Sequence, residues 1–466
     1  MGICRMVHPT TRQASSDMAS IAERPTRVRY MVFVLGFGTS WMLYLHRYSF
    51  ALIKPFLKEE LDVSNTELGY MDAVFGATYF GVQFPTGLWG DVAGVHWLLG
   101  GLILLWSVSL AMHAWAPNVK ILYAARALLG AGQAGVFSLV GRLTRSWIPL
   151  SVRTTAQGWI GVAAGRLGGL SANLLLMTVM IGIMGLKWQL ALYILAGVGI
   201  THGLAFLALF RNSPAEHPWA NAAEADLVAG DSQQEQEKPL KIGELVRQMD
   251  GRSILNLIAV NASTTFSSIA DHIYSHWIPL FLVAEYQLKY KEMGIYSALP
   301  LLGGVTGGII GGYLNDWLIR RTGSRRWVRS LVGFAGKFLA AITLATGIVF
   351  FYDDPYVFCG MLFVVKLFAD ISLTTRWGTI TDIGGRATAS VFAFNNSVAS
   401  AIIMGIPAVY GYISDEHGWR VVFWVACSAY VACALTWLLV NCTIPVLAND
   451  RELTRPIEAT EEDRES

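Results

Sequence analysis

Charged residues are scarce in this chain. Lys, Arg, Asp and Glu make up 15% of its 466 residues, whereas hydrophobic residues make up 54%. A soluble protein of this length needs many more charges to cover its surface, so the composition excludes a soluble globular fold. It indicates a protein whose partner is the lipid bilayer, and we expect no nucleic-acid partner.

The sequence also lacks the motifs of catalysis, nucleotide binding and metal binding. It has no Gly-x-x-x-x-Gly-Lys-Ser/Thr loop that could support an ATP-driven pump, and no nucleophile elbow or zinc-binding helix. Its five cysteines show no metal-ligand spacing, and most of them fall inside apolar runs. We therefore expect no enzymatic activity, no cofactor and no metal site.

What the chain does have is a series of apolar runs, each long enough to cross a bilayer as a helix. They predict an all-α integral membrane protein with twelve transmembrane helices in two six-helix bundles. The runs are 30–52, 66–90, 95–115, 119–143, 154–180, 188–210, 254–284, 292–319, 327–351, 355–378, 387–414 and 420–443.

A polar stretch rich in Glu, Asp, Gln and Lys separates the sixth run from the seventh. Arginines gather before the first run and in the loops of the same side, so the positive-inside rule puts both termini in the cytoplasm. We expect a monomeric, multi-pass protein of a cell membrane, with a bacterial inner membrane as the simplest setting. The predicted segments are a tail (1–29) without the apolar core of a cleaved signal peptide, a first bundle (30–211), a linker (212–253), a second bundle (254–443) and a second tail (444–466).

A short motif recurs at the same place in each half. Gly87 and Asp91 lie at the end of the second run with the spacing Gly-x-x-x-Asp, and Gly312 and Asp316 repeat it near the end of the eighth. Two parallel repeats with a binding site between them are a known transporter architecture. We expect Asp91 and Asp316 to tether neighbouring helices and to bias which side of the pocket is open.

Two arginines lie inside apolar runs. Arg47 is near the end of the first run, and Arg126 is in the fourth with Gln133 two turns further along the same helix face. A guanidinium at membrane depth costs about 2.5–3.5 kcal/mol on insertion scales, so it is rarely left without a use. The pair predicts a cationic pocket for an anion, in which Gln133 holds a hydroxyl. The alternative is that each arginine binds backbone carbonyls or pairs with an acid such as Asp72.

Other charged residues lie deep in the later runs. Arg166 is a candidate third contact for the anion, or a partner of Asp271 in the other half. Asp271 and His272 are candidates for a coupling group that takes up and releases a proton. Lys366 and Asp370 are spaced i,i+4 and can neutralise one another.

Three segments carry a family resemblance. Tyr44-Leu-His-Arg-Tyr-Ser49, Arg126-Ala-Leu-Leu-Gly-Ala-Gly-Gln-Ala134 and Asn212-Ser-Pro-Ala-Glu-His-Pro218 resemble the corresponding segments of the major facilitator superfamily, in its organic anion branch of anion:cation symporters. The resemblance extends from Arg29 to about Val446. It implies that Arg47, Tyr79 and Arg126 bind substrate or organise a proton relay.

The resemblance also implies that Asn396 is a polar substrate contact. Two positions depart from the family pattern: His46 replaces an acid before Arg47, and Gln133 replaces a glutamate. Gln133 cannot titrate, whereas His46 can titrate near neutral pH and is a further coupling candidate. The departures leave the family's proton coupling in doubt.

The sequence thus favours a secondary active or facilitative carrier of a small organic anion, a sugar acid such as a hexonate, hexuronate or aldarate, working by alternating access. Two other interpretations stay open: a non-transporting nutrient sensor of the same fold, and a carrier of organic phosphates. The sequence does not decide whether H⁺, Na⁺ or no ion moves with the substrate.

Overall fold

The computed structural model describes residues 24–234 and 247–447, which form helices joined by short turns. The predicted tails lie almost wholly outside the described residues, as does the middle of the linker. In the first half the helices are α1 (Val28–Leu61), α2 (Asn65–Ala93), α3 (His96–Trp115), α4 (Val119–Gln133 and Val136–Trp147), α5 (Leu150–Ile183) and α6 (Trp188–Leu209). In the second half they are α7 (Gly251–His276 and Ile278–Tyr286), α8 (Tyr290–Thr322), α9 (Arg325–Phe351), α10 (Pro355–Gly384), α11 (Thr388–Ile403 and Ile406–His417) and α12 (Trp419–Leu439).

Ten helices of the described residues are long and apolar enough to cross a membrane. Among the numbered helices, α2 and the broken helix α4 are the two outside that group. The prediction of an all-α membrane fold is confirmed, and the count of twelve crossings stays a prediction. A short helix between the halves, Ala222–Gln234, is anchored by Glu224, which pairs with Arg29 at the start of α1.

Helix α1 is longer than the apolar run that predicted it. The run ends at residue 52, whereas the helix continues through Pro55 to Leu61 and buries Lys54 completely. A boundary drawn before Lys54 is wrong here, because Lys54 finds a counter-charge inside the protein. As a result, a cation expected in a loop lies in the core.

The two halves meet at one face of the bundle. We call this the distal face; it carries the α1–α2, α7–α8 and α11–α12 connections, and the face where the described chain begins is the terminal face. Asn65 at the start of α2 bonds to Ser414 and Asp415 at the end of α11. Thr178 of α5 donates to the carbonyl oxygen of Lys291 in α8. The halves are therefore held together away from the terminal face.

Glycines bring α8 and α10 into backbone contact. A Cβ added at Gly303 or Gly307 would lie 2.1 or 2.0 Å from the carbonyl oxygen of Phe363 or Leu367. Small residues at helix contacts in lipid let backbones approach closely. This contact sets the position of α10, which carries much of the site described below.

The variant Gly307→Ala tests this contact. We expect it to destabilise the protein by roughly 1–3 kcal/mol, because the new methyl group overlaps a backbone oxygen that cannot move alone. Gly308→Ala is the matched control, since a Cβ there meets no atom within 4 Å. Thermal unfolding in detergent measures both variants. Equal unfolding midpoints for the two would contradict the packing described.

Candidate functional site

A cavity of about 680 Å³ lies between the two halves. Its size is in the range of small-molecule sites. Residues of α1, α4 and α5 line it from the first half, and residues of α7, α8, α10 and α11 line it from the second half. The lining includes the rings of Tyr44 and Tyr48, the hydroxyls of Ser267 and Ser268, and the amide of Asn396. Asn396 is thus where the family resemblance implies a substrate contact.

A chain of ion pairs crosses the cavity wall. Lys366 Nζ lies 2.8 Å from Asp370 Oδ1, one turn along α10, and 2.7 Å from Asp271 Oδ1 in α7. Arg166 Nη1 lies 3.1 Å from Asp370 Oδ2, which connects the two halves at mid-depth. Lys337 of α9 lies 3.4 Å from Asp271 Oδ2. The contact expected between Lys366 and Asp370 is present, and the acid partner of Arg166 is Asp370 rather than Asp271.

Arg166 lies in a helix of unusual geometry. Helix α5 widens into π-helical turns at Gly158–Ala163 and Ala172–Ile183, on both sides of the segment that carries Arg166. Such turns occur often at functional sites. Gly168 lets this segment approach α1, since a Cβ there would lie 2.3 Å from the carbonyl oxygen of Trp41. The close approach places the Arg166 guanidinium in the cavity, where its side chain is 32% exposed.

Arg376 is a further cation of the cavity, and the sequence analysis did not single it out. It lies on α10, six residues after Asp370, which is about 9 Å further along the helix toward the terminal face. It lines the cavity, and no carboxylate among the described residues lies within ion-pair distance of it. The available signal was an arginine inside the apolar run 355–378, two residues before its end.

Arg47 lies behind the cavity wall. Its Nε donates to Gln133 Oε1 at 3.0 Å, and its guanidinium carbon lies about 5 Å from the ring centres of Tyr44, Phe75 and Tyr79. The structure therefore brings Arg47, Tyr79 and Gln133 together, as expected, but the ring of Tyr44 is what faces the cavity.

Both the oxygen and the nitrogen of the Gln133 side-chain amide already make a hydrogen bond in this arrangement. Its Oε1 accepts from Arg47, its Nε2 donates to the carbonyl oxygen of Leu43 at 3.0 Å, and the side chain is fully buried. A hydroxyl contact at Gln133 would require these bonds to break. In this conformation its amide positions Arg47.

The expectation that Arg126 faces the same chamber as Arg47 is wrong for this conformation. Arg126 is fully buried and its Nη2 lies 2.5 Å from Asp72 Oδ1, while Lys54 Nζ lies 2.7 Å from Asp72 Oδ2. The guanidinium stacks over the ring of Phe50. Arg126 is therefore paired with Asp72 of the neighbouring helix α2, as the alternative interpretation proposed. Lys54 extends this cluster to the second half by donating to the carbonyl oxygen of His276 at 2.9 Å.

The three candidates for a proton-coupling group also differ in their position relative to the cavity. His46 is fully buried with Nε2 3.2 Å from the carbonyl oxygen of Leu195, so it faces α6. His272 is buried against His276, with ring centres 4.2 Å apart. Neither lines the cavity, whereas Asp271 does.

The repeated aspartates remain as predictions. Asp316 is exposed near the end of α8 at the terminal face, and the side chain of Asp91 lies outside the described part of the structure. Among the described residues, no group of three His, Cys, Asp or Glu side chains could hold a metal ion.

Comparison with known proteins gives consistent matches over most of the chain. Residues 36–406 match the model of the Major Facilitator Superfamily. A protein of Cupriavidus necator named as a probable sulfoacetate transporter is 26% identical over 91% of this chain and 97% of its own length. The hexuronate transporter of Escherichia coli is 27% identical over 84% of this chain and 89% of its own. A crystal structure of a bacterial homologue of the human lysosomal transporter Spinster, inward-facing and unoccupied, covers 92% of this chain and 96% of its own with a TM-score of 0.66 and 15% identity, which shows the fold alone.

Proposed function

We propose that this chain, which belongs to the Major Facilitator Superfamily, carries a small organic anion across a membrane by alternating access to the cavity between its halves. The observation that best supports this proposal is the net positive charge of the side chains that line the cavity. Three cations line it, Arg166, Lys366 and Arg376, against the two acids Asp271 and Asp370. A site between two repeats with an excess of positive charge suits a carboxylate, since guanidinium groups bind planar anions with paired hydrogen bonds.

The substrate we propose is a sugar acid. Arg376 is the cavity cation that has no carboxylate within ion-pair distance among residues 24–234 and 247–447, so it is the natural partner of the substrate carboxylate. The amide of Asn396 and the hydroxyls of Tyr44, Tyr48 and Ser268 line the same space and can bind sugar hydroxyls. The hexuronate transporter among the relatives supports this class, and the sulfoacetate transporter adds a short dianion without hydroxyls as a second candidate.

The conformation also supports a direction of access. The halves meet at the distal face, and the cavity extends from mid-depth toward Gln157, Arg376 and Trp377 in the terminal half. The positive-inside rule supports a cytoplasmic position for the terminal face. We propose that the structure is an inward-facing state of a multi-pass carrier in a bacterial inner membrane.

Uptake into proteoliposomes tests the proposal. We expect saturable uptake of D-glucuronate or D-galactonate, weaker uptake of glucose 6-phosphate, and none of neutral D-glucose. Fastest uptake of sulfoacetate would move the assignment to short dianions, and fastest uptake of the sugar phosphate would move it to organic phosphates. Saturable binding without uptake of any of them would indicate a sensor and contradict the carrier function.

A further inference from the structure

The acids of the cavity are already neutralised by the protein. Asp271 has Lys337 and Lys366 within 3.4 Å and accepts a 2.7 Å hydrogen bond from Tyr430. Asp370 has Lys366 at 2.8 Å and Arg166 at 3.1 Å. Protonation of Asp370 would leave Arg166 without a counter-charge, and protonation of Asp271 would do the same to Lys337, which is costly in a low-dielectric interior. These carboxylates therefore hold fixed cations in place and are poorly suited to shuttle a proton.

Two cations beside the cavity have no such partner. Arg376 lines it, and no described carboxylate lies within ion-pair distance. Arg47 lies behind Tyr44, where it is bonded to the neutral amide of Gln133 and surrounded by aromatic rings. Among the described residues, its Nη2 is buried without a hydrogen-bond partner. Within the described part of the chain, no acid balances the positive charge of these two residues.

Among the described residues of the first half, no His, Asp or Glu lines the cavity to change this balance. His46 faces α6 with its ring nitrogen on a backbone oxygen, and Gln133 does not titrate. His272 and His276 are stacked beside Asp72, outside the cavity lining. Among the described residues at the cavity, no carboxyl or imidazole group therefore stands ready to release a proton and so offset the loss of the anion's charge.

We infer that the protein is an anion exchanger. After it releases one organic anion, it binds another on the same side and returns loaded, because the unloaded carrier returns slowly. The inference rests on the proposed function. Alternating access requires the halves to close around the cavity. Closure removes water from the charged side chains of the cavity and from any bound anion. Closing around a bound anion pairs Arg376, whereas closing around an empty cavity buries an uncompensated charge. The loaded carrier should therefore change sides readily and the empty carrier slowly.

Preloading experiments in proteoliposomes test exchange. Labelled D-glucuronate and labelled D-galactonate are supplied outside vesicles that hold the same anion unlabelled, or D-galactose at equal osmolarity. A third set holds D-galactose and receives an imposed inward proton gradient. We expect preloading with the anion to raise the initial rate roughly tenfold or more, and the proton gradient to change it by less than about twofold.

The outcomes separate the two proposals. Uptake into galactose-filled vesicles that is driven by the proton gradient as fast as exchange would overturn the exchange mode and leave the carrier function intact. Uptake that ignores both preloading and the gradient would also overturn it, since the empty carrier would then return freely. An absence of uptake in all three sets, without binding of either anion, would overturn the carrier function itself for sugar acids.

Discussion

Replacement of Arg376 by glutamine is expected to weaken anion binding by roughly 10- to 100-fold, because a charge-assisted hydrogen bond contributes about 1.5–3 kcal/mol and each 1.4 kcal/mol is tenfold in affinity. Arg376 lines the cavity and pairs with no acid of the described chain, so its replacement removes a partner of the substrate without leaving a described carboxylate unpaired. The concentration dependence of uptake and equilibrium binding to the purified protein both measure the change.

Two further variants make this result specific. Arg376→Lys keeps the charge but not the paired donors, so its affinity is expected to lie between wild type and Arg376→Gln. Arg420→Gln makes the same charge change at the distal face, where Arg420 pairs with the exposed Asp353, and should leave affinity unchanged. Wild-type affinity in Arg376→Gln, or an equal loss in both glutamine variants, would remove Arg376 from the site.

Replacement of Asp72 by asparagine is expected to destabilise the folded protein by roughly 3–5 kcal/mol, which is the cost of breaking a buried ion pair by removing one partner. Asp72 is the acid shared by Lys54 and Arg126, and both cations are fully buried. The variant leaves two charges in the core without a counter-charge. A lower unfolding midpoint and a smaller monodisperse fraction in detergent measure the effect.

A double variant separates charge from packing in this cluster. Asp72→Asn combined with Lys54→Met removes one of the two uncompensated cations, so part of the stability should return. Asp353→Asn serves as the control, since its carboxylate is exposed and its ion pair contributes little. Equal midpoints for Asp72→Asn and Asp353→Asn would contradict the role of Asp72 as the internal counter-charge.

Much of the fold follows from local sequence. Apolar runs of bilayer length predict the helices, and the polar stretch after residue 211 predicts the division into halves. The ends of helices are harder, as α1 shows: Lys54 and Pro55 look like a loop, yet Lys54 is buried because Asp72 meets it from α2. A pattern along one helix does not contain the side chains that another helix supplies.

The same reasoning explains which parts of the site were predictable. The contact of Lys366 with Asp370 depends on a spacing of four residues within one helix, and the sequence shows it directly. The pairing of Arg126 with Asp72 depends on how α2 and α4 pack, and the packing of α10 decides that no described acid lies beside Arg376. Arg47 and Gln133 were correctly placed together, but the ring of Tyr44 between them and the cavity was not foreseen.

Protection of a cavity cysteine by substrate is the most direct test that a small organic anion binds between the halves. With the five native cysteines replaced, Ser268→Cys puts a near-isosteric thiol on the cavity wall, and Thr322→Cys puts one on the exposed end of α8 at the terminal face. Saturating D-glucuronate or D-galactonate should slow maleimide labelling at position 268 roughly tenfold or more and leave position 322 unaffected. Labelling at position 268 that is unchanged by every anion carried into proteoliposomes would contradict a binding site in this cavity.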